Sequence, residues 1–206
     1  MRSWEMNKTR LELDGSFCLL LSLMLLILPI QWVAAMVLGA FVHECFHFAA
    51  ITVLGGRIFG IHLGLGGTTM EAEPLTPGKE LLAAVAGPIG SGLLILLARW
   101  LPRTAICGAV HLAFNLLPLF PMDGGRIIRS FCRMLFRNGE VKFRVFQKIA
   151  GILVVFFCLF CSIRFGIWVA VFGAVFLLGQ KGRELFDKRF FLRYNKTDNE
   201  YEEVGL

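Results

Sequence analysis

The chain has 206 residues, of which 56% are hydrophobic and 17% charged, and its mean hydropathy is +0.68. A soluble domain of this size needs more polar surface, so the composition argues against a soluble globular protein and predicts lipid as the main solvent. The formal net charge is +6. In a membrane protein such a basic excess is more often a topology signal than a footprint of nucleic acid, and we expect no nucleic-acid partner.

Six hydrophobic segments follow one another along the chain and predict about six transmembrane helices. They are Ser16 to Ile30, Trp32 to Leu54, Glu80 to Leu101, Thr104 to Phe120, Val145 to Ile163 and Phe165 to Leu178. With both termini cytosolic, this order places all but three of the 21 Lys and Arg residues on the inner side, as the positive-inside rule requires. The predicted fold class is an all-α polytopic membrane protein, with a membrane domain over residues 1–180, a catalytic core over about 31–135, and a partly disordered cytosolic tail over 181–206.

The second segment contains the sequence His43-Glu44-Cys45-Phe46-His47. Positions i and i+4 of a helix share a face, so both imidazoles can reach one cation, and Glu44 can reach a water molecule on that cation. Two His and a Glu inside an apolar helix cost several kcal/mol unless they are paired or functional. The motif predicts a zinc site; the alternative is a hydrogen-bonded polar patch that lines a cavity.

The stretch from Gly55 to Glu73 is rich in glycine and alternates apolar with polar or small residues. It predicts a short β-hairpin that dips into the membrane beside the site. The open edge of such a hairpin can pair with an unwound substrate strand, because peptide cleavage requires an extended backbone. An ordinary loop is the alternative.

Small residues recur at four-residue spacing in the second and third segments and allow helices to approach closely. They are Ala35 and Gly39 ahead of the two histidines, and Ala83, Gly87 and Ser91 in the third segment. Pro88 predicts a kink that opens a path for substrate, and plain helix packing without a gate is the other interpretation.

The third metal ligand is expected from the segment Asn115 to Gly125. Two prolines, Pro118 and Pro121, prevent a regular helix there, while Gly124 and Gly125 permit unusual dihedral angles beside the Asp123 carboxylate. Irregular backbone at membrane depth is tolerated only where it is buried or lines a wet cavity. We predict that His43, His47 and Asp123 hold one zinc ion near the cytosolic side; the alternative for Asp123 is the N-cap of the next helix.

That next helix is predicted from arginines at helical spacing, and we expect it to lie on the anionic cytosolic leaflet. The arginines are Arg126, Arg129, Arg133 and Arg137. The two remaining histidines, His62 and His111, are expected to make local hydrogen bonds and not to bind the metal.

Together the two motifs resemble those of the site-2 protease family of intramembrane zinc metalloproteases, which carry His-Glu-x-x-His and Asn-x-x-Pro-x-x-Pro-x-Asp-Gly. The resemblance implies a zinc metalloendopeptidase with His43, His47 and Asp123 as ligands and Glu44 as the catalytic base. It also implies that Asn115 helps to hold the substrate or the developing oxyanion.

Six spans, short polar ends and a cytosol-facing site are most similar to the stage IV sporulation protein FB branch of that family. The resemblance implies a bacterial cell membrane protein that processes a sigma-factor precursor, without the C-terminal CBS domain that many relatives carry. Phe46 stands where the family often has Gly, and Ser91 where it has Asn. We expect neither residue to touch a ligand.

The expected partners are a membrane-associated protein substrate, the lipid bilayer and an inhibitory or regulatory membrane protein. Three alternatives stay open. The first is a catalytically silent protein that binds membrane clients, and the second is a site-2 protease that cleaves other substrates such as anti-sigma factors. The third is a metal transporter, which would require polar residues in several spans.

Overall fold

The computed structural model describes residues 10–64 and 67–165. Within these ranges it contains six helices, α1 (Gly15–Ile27), α2 (Ile30–Val53), α3 (Pro77–Leu96), α4 (Pro102–Asn115), α5 (Asp123–Leu135) and α6 (Gly139–Phe165), and three strands, β1 (Arg10–Leu13), β2 (Ile58–Gly64) and β3 (Gly67–Ala72). The chain divides into two compact units, 1–152 and 153–206, and the second is described only to the end of α6. The sixth predicted span, Phe165 to Leu178, lies outside the described residues except for Phe165 itself. The predicted tail, 181–206, lies entirely outside them.

Helices α2 and α3 are long and apolar enough to cross a membrane, and α1 is a shorter apolar helix. Helix α4, by contrast, has 14 residues, and a spanning helix needs about 20. It ends at Asn115, five residues before the predicted end, because Pro118 and Pro121 follow.

Large apolar side chains lie on the surface of the described helices, with Leu26 83% and Val53 85% exposed. Contact with lipid accounts for such a surface.

The sheet differs from the expected hairpin. Strands β2 and β3 pair antiparallel, as predicted, but β1 adds a third strand that runs parallel to β2, in the order β1-β2-β3. The described residues thus form a mostly helical fold with a small three-stranded sheet, and the predicted helical protein with a short β-hairpin is corrected only by the addition of this third strand. The four residues of β1 are too few for an alternating pattern to separate them from the start of α1, which Asp14 caps by accepting a hydrogen bond from the Ser16 N–H.

His62 lies in the middle strand between two carboxylates. Its Nδ1 is 3.0 Å from Oε2 of Glu12 on β1, and its Nε2 is 3.2 Å from Oε1 of Glu71 on β3. The local polar role predicted for His62 is confirmed, and the contacts tie the three strands together.

Helices α2 and α3 pack through the predicted stripes of small residues. Each helix buries one face, which comprises Val33, Ala35, Gly39, His43, His47 and Ile51 on α2 and Ala83, Ala84, Gly87, Pro88, Gly90, Ser91 and Leu94 on α3. Helix α2 also packs on α4, and α3 on α4 and α5. Both histidines of the motif thus point into the interior of the helix bundle.

The segment between α4 and α5 is irregular, as the two prolines predict. A side chain of α6 holds it in place. The Phe120 N–H donates to Oε1 of Gln147 at 3.0 Å, and Nε2 of Gln147 donates to the Pro118 carbonyl at 3.4 Å. These hydrogen bonds replace those that a helix would have made and fix the segment that leads to Asp123.

Gly124 and Gly125 serve this turn by their small size. The prediction of unusual dihedral angles is wrong, because both residues lie inside α5 and neither has a positive φ. A Cβ at position 124 would overlap the carbonyl oxygen of Leu116, and one at position 125 would overlap the backbone of Leu119. Glycine is required because the start of α5 packs directly on the backbone of the preceding turn.

Helix α5 forms where the arginine spacing predicts it and ends at Leu135, before Arg137, and its three arginines all face protein carboxylates, two of them on neighbouring helices. Nη1 of Arg133 is 2.8 Å from Oε2 of Glu80, at the start of α3. Nε of Arg129 is 3.2 Å from Oε2 of Glu140 on α6. These ion pairs dock α5 on its neighbours and so help to position Asp123 at its first turn.

Candidate metal centre

The three predicted ligands converge at one buried point. Nε2 of His43 and Nε2 of His47 are 3.1 Å apart, as expected for residues one helical turn apart on α2. Oδ2 of Asp123, from the start of α5, is 3.0 Å from the first nitrogen and 3.1 Å from the second. The three side chains are at most 6% exposed. In the described part of the chain they form the group that can hold a metal ion.

The donor set fits zinc. Nδ1 of His47 lies 2.8 Å from the carbonyl oxygen of Ala83, which only accepts, so Nδ1 carries the hydrogen and Nε2 presents a lone pair. The lone pair on Nε2 of His47 and the Asp123 carboxylate oxygen meet in a buried space, and a cation between them would relieve their repulsion. Zinc binds nitrogen and carboxylate oxygen at about 2 Å in near-tetrahedral geometry, which sets neighbouring ligand atoms about 3.3 Å apart. The observed distances between the three ligand atoms, 3.0 to 3.1 Å, are only slightly shorter than this.

Helix α3 supplies the residues that orient the two imidazoles. Oγ of Ser91, which is fully buried, lies 2.9 Å from Nδ1 of His43. A Cβ on Gly87 would overlap Nε2 of His47 and lie 2.7 Å from Cε1 of His43. The expectation that Ser91 touches no ligand is therefore wrong. Ala83, Gly87 and Ser91 repeat at the same four-residue spacing as the histidines. This shared spacing could have indicated that α3 contacts the two imidazoles, but it was interpreted only as helix packing.

Asp123 is held from both sides. One carboxylate oxygen faces the imidazoles, and the other, Oδ1, is 3.6 Å from Nη1 of Arg126. The residue opens α5, where the positive end of the helix dipole favours a carboxylate. The N-cap is Met122, so the alternative that Asp123 serves merely as the cap is wrong.

Glu44 follows His43 directly in the sequence, and Asn115 lies one turn beyond His111 on α4. Glu44 is half-buried beside His43 and interacts electrostatically with both imidazoles and with Asp123. Nδ2 of Asn115 donates to the carbonyl oxygen of His111, one turn earlier on α4, at 3.0 Å. The ring of His111 in turn packs edge-on against His43. The base role of Glu44 and the substrate role of Asn115 stay predictions.

Comparison with known proteins identifies the fold of the chain. No family model and no curated protein matches the chain. Among solved structures, the chain is similar to the site-2 protease from Methanocaldococcus jannaschii, with a TM-score of 0.65 and 23% sequence identity over 84% of this chain and 89% of that one. The chain therefore has the fold of a site-2 protease.

Proposed function

We propose that the chain is an intramembrane zinc metalloprotease that hydrolyses a peptide bond in or near the membrane segment of a substrate protein. One observation carries the proposal. Nε2 of His43, Nε2 of His47 and Oδ2 of Asp123 form a buried triangle with sides of 3.0 to 3.1 Å, and Glu44 follows His43 directly in the sequence. The same chain has the fold of a site-2 protease, which supports the assignment.

The roles of the residues follow from their chemistry. His43, His47 and Asp123 would hold the zinc ion, which when bound supplies a Lewis acid that polarises a carbonyl and activates water at neutral pH. The Glu44 carboxylate accepts a proton from the attacking water and delivers it to the leaving amine. Among the described residues, one amide hydrogen of Asn115 is used within α4, and the proposed role of the other is to donate to the carbonyl oxygen of the substrate.

The substrate is proposed to be a membrane-associated protein, and specifically a sporulation sigma-factor precursor, in a bacterial cell membrane. The basic residues that lie on one side of the six-span arrangement support a cytosol-facing site. In the described part of the sheet, β3 is an edge strand, and its free edge suits an extended substrate segment. An inhibitory or regulatory membrane protein is part of the same proposal.

Co-expression with a membrane-associated sigma-factor precursor tests this function. We expect processing by the wild type and a loss of about 10²–10⁴-fold in Glu44→Gln, since that variant lacks the proton acceptor. Zinc content should be unchanged in Glu44→Gln. The matched control is Glu73→Gln, which neutralises a half-buried carboxylate beyond β3 and should process normally.

Purified protein separates the remaining alternatives. Zinc-dependent cleavage that a chelator abolishes supports a protease. Binding of the precursor by zinc-loaded protein without cleavage would identify a client-binding protein, and zinc flux in proteoliposomes would identify a transporter. Cleavage of an anti-sigma factor in place of the sigma-factor precursor would retain the chemistry and reassign the substrate.

A further inference from the structure

His111 lies against the candidate metal centre without belonging to its ligand set. Its ring packs on that of His43 with a centroid distance of 4.5 Å and an interplanar angle of 78°. It interacts electrostatically with His43, His47 and Asp123. The group that can hold a metal among residues 10–64 and 67–165 nevertheless comprises only those three residues. Catalytic zinc sites use three protein ligands and leave one position for water or substrate. His111 thus lies beside a site of this kind without being one of its three ligands.

The Nε2 atom of His111 is buried and makes no hydrogen bond in the described part of the chain. A buried polar atom without a partner costs about 1–3 kcal/mol. Such atoms are rare in native proteins, and catalysis is one of the reasons they persist. This nitrogen therefore calls for a partner that a bound substrate would supply.

The position of His111 is fixed by its helix. Asn115 donates a hydrogen bond to the His111 carbonyl. One turn earlier, Gly108 lets α4 approach α3 so closely that a Cβ there would lie 3.1 Å from the Ser91 carbonyl oxygen and from Cβ of Leu94. Helix α4 is thus docked on α3, whose Ser91 contacts the ring of His43, and the imidazole of His111 is preorganised beside the centre.

We infer that His111 is a further catalytic residue, whose Nε2–H donates a hydrogen bond to the oxygen of the scissile carbonyl as negative charge develops on it. The inference rests on the proposed function. No proton is transferred by His111 in this role, since Glu44 carries the proton from water to the leaving amine. Together with Asn115, the residue completes a pair of donors on consecutive turns of α4, and one such donor is worth about 10²–10³ in kcat.

Two substitutions and a control test the inference in the full-length, zinc-loaded protein. His111→Ala removes the donor, whereas His111→Gln keeps an amide N–H of similar reach. Val110→Ala, on the same turn of α4 but 65% exposed, is the control. We expect His111→Ala to lower kcat by about 10²–10³ with KM within about threefold of wild type. His111→Gln should recover part of the loss, and Val110→Ala should behave as wild type.

A second readout does not require turnover. Binding of acetohydroxamate to cobalt-substituted protein, followed by its visible spectrum, reports on an oxygen ligand at the metal. His111→Ala should bind it about tenfold or more weakly, because a hydrogen bond to a charged oxygen is lost. Metal content should stay at one ion per chain.

Full hydroxamate affinity and full kcat in His111→Ala would overturn the inference. Loss of the metal from both His111 variants would also overturn it, since the residue would then belong to the scaffold that holds the ion. A wild-type protein that binds zinc and hydroxamate but cleaves no membrane substrate would sink the proposed function instead. The hydroxamate comparison separates these failures.

Discussion

Removal of the Ser91 hydroxyl isolates the contribution of helix α3 to the metal centre. The Ser91 Oγ to His43 Nδ1 distance is 2.9 Å, with Ser91 fully buried and His43 2% exposed. Water therefore cannot take the place of the lost hydroxyl. Loss of such a partner of a metal-binding histidine weakens metal binding by about 10–100-fold, which corresponds to about 1.4–2.7 kcal/mol. Because both atoms are buried, we expect Ser91→Ala to fall toward the upper end of this range.

The assay is competition for zinc between the detergent-solubilised protein and a chromophoric chelator of known affinity. Ser130→Ala is a matched control, since Ser130 is equally buried and its Oγ makes no hydrogen bond within the described residues. The two variants delete the same atom at the same burial, so their difference reports the hydrogen bond to His43. If Ser91→Ala binds zinc as tightly as Ser130→Ala, the orienting role of Ser91 is refuted.

Three further predictions address the framework of the site. Gly87→Ala should abolish zinc binding in the same competition assay, because its methyl group would overlap Nε2 of His47; normal binding would show that α3 can withdraw from the site. Gln147→Met leaves the half-buried Phe120 N–H without its acceptor, and we expect thermal denaturation in detergent to show a loss of about 0.5–1.5 kcal/mol. Unchanged stability would mean that the proline segment does not need this clamp. Zinc at 100 times its Kd should stabilise the protein by about 2.7 kcal/mol over the chelated form, and identical melting of the two forms would count against zinc binding at this centre.

The spacing of particular residues along the sequence predicts much of the candidate metal centre. The i, i+4 spacing of His43 and His47 places both on one face of α2 in any helix of this register, whatever packs against it. The prolines before Asp123 predict an irregular segment for an equally local reason, since proline lacks the N–H and clashes with a preceding turn. The structure contains both features.

Other features depend on contacts between distant parts of the chain. The third strand, β1, was missed because four residues carry too little periodicity, and its pairing with β2 is decided by tertiary contacts. The reason for Gly124 and Gly125 was also misread. A glycine that permits a positive φ and one that permits close approach look the same in a sequence, and only the position of the neighbouring backbone separates them.

Local sequence thus determined which residues of this protein can carry the chemistry: a histidine pair with its adjacent glutamate, and an aspartate after a broken helix. Tertiary structure decided which groups support them. Ser91 reaches His43 across 48 positions of the chain, and Ala83 reaches His47 across 36. Such contacts depend on which faces of α2 and α3 meet and how closely small residues let them approach, and helical periodicity alone does not specify that choice.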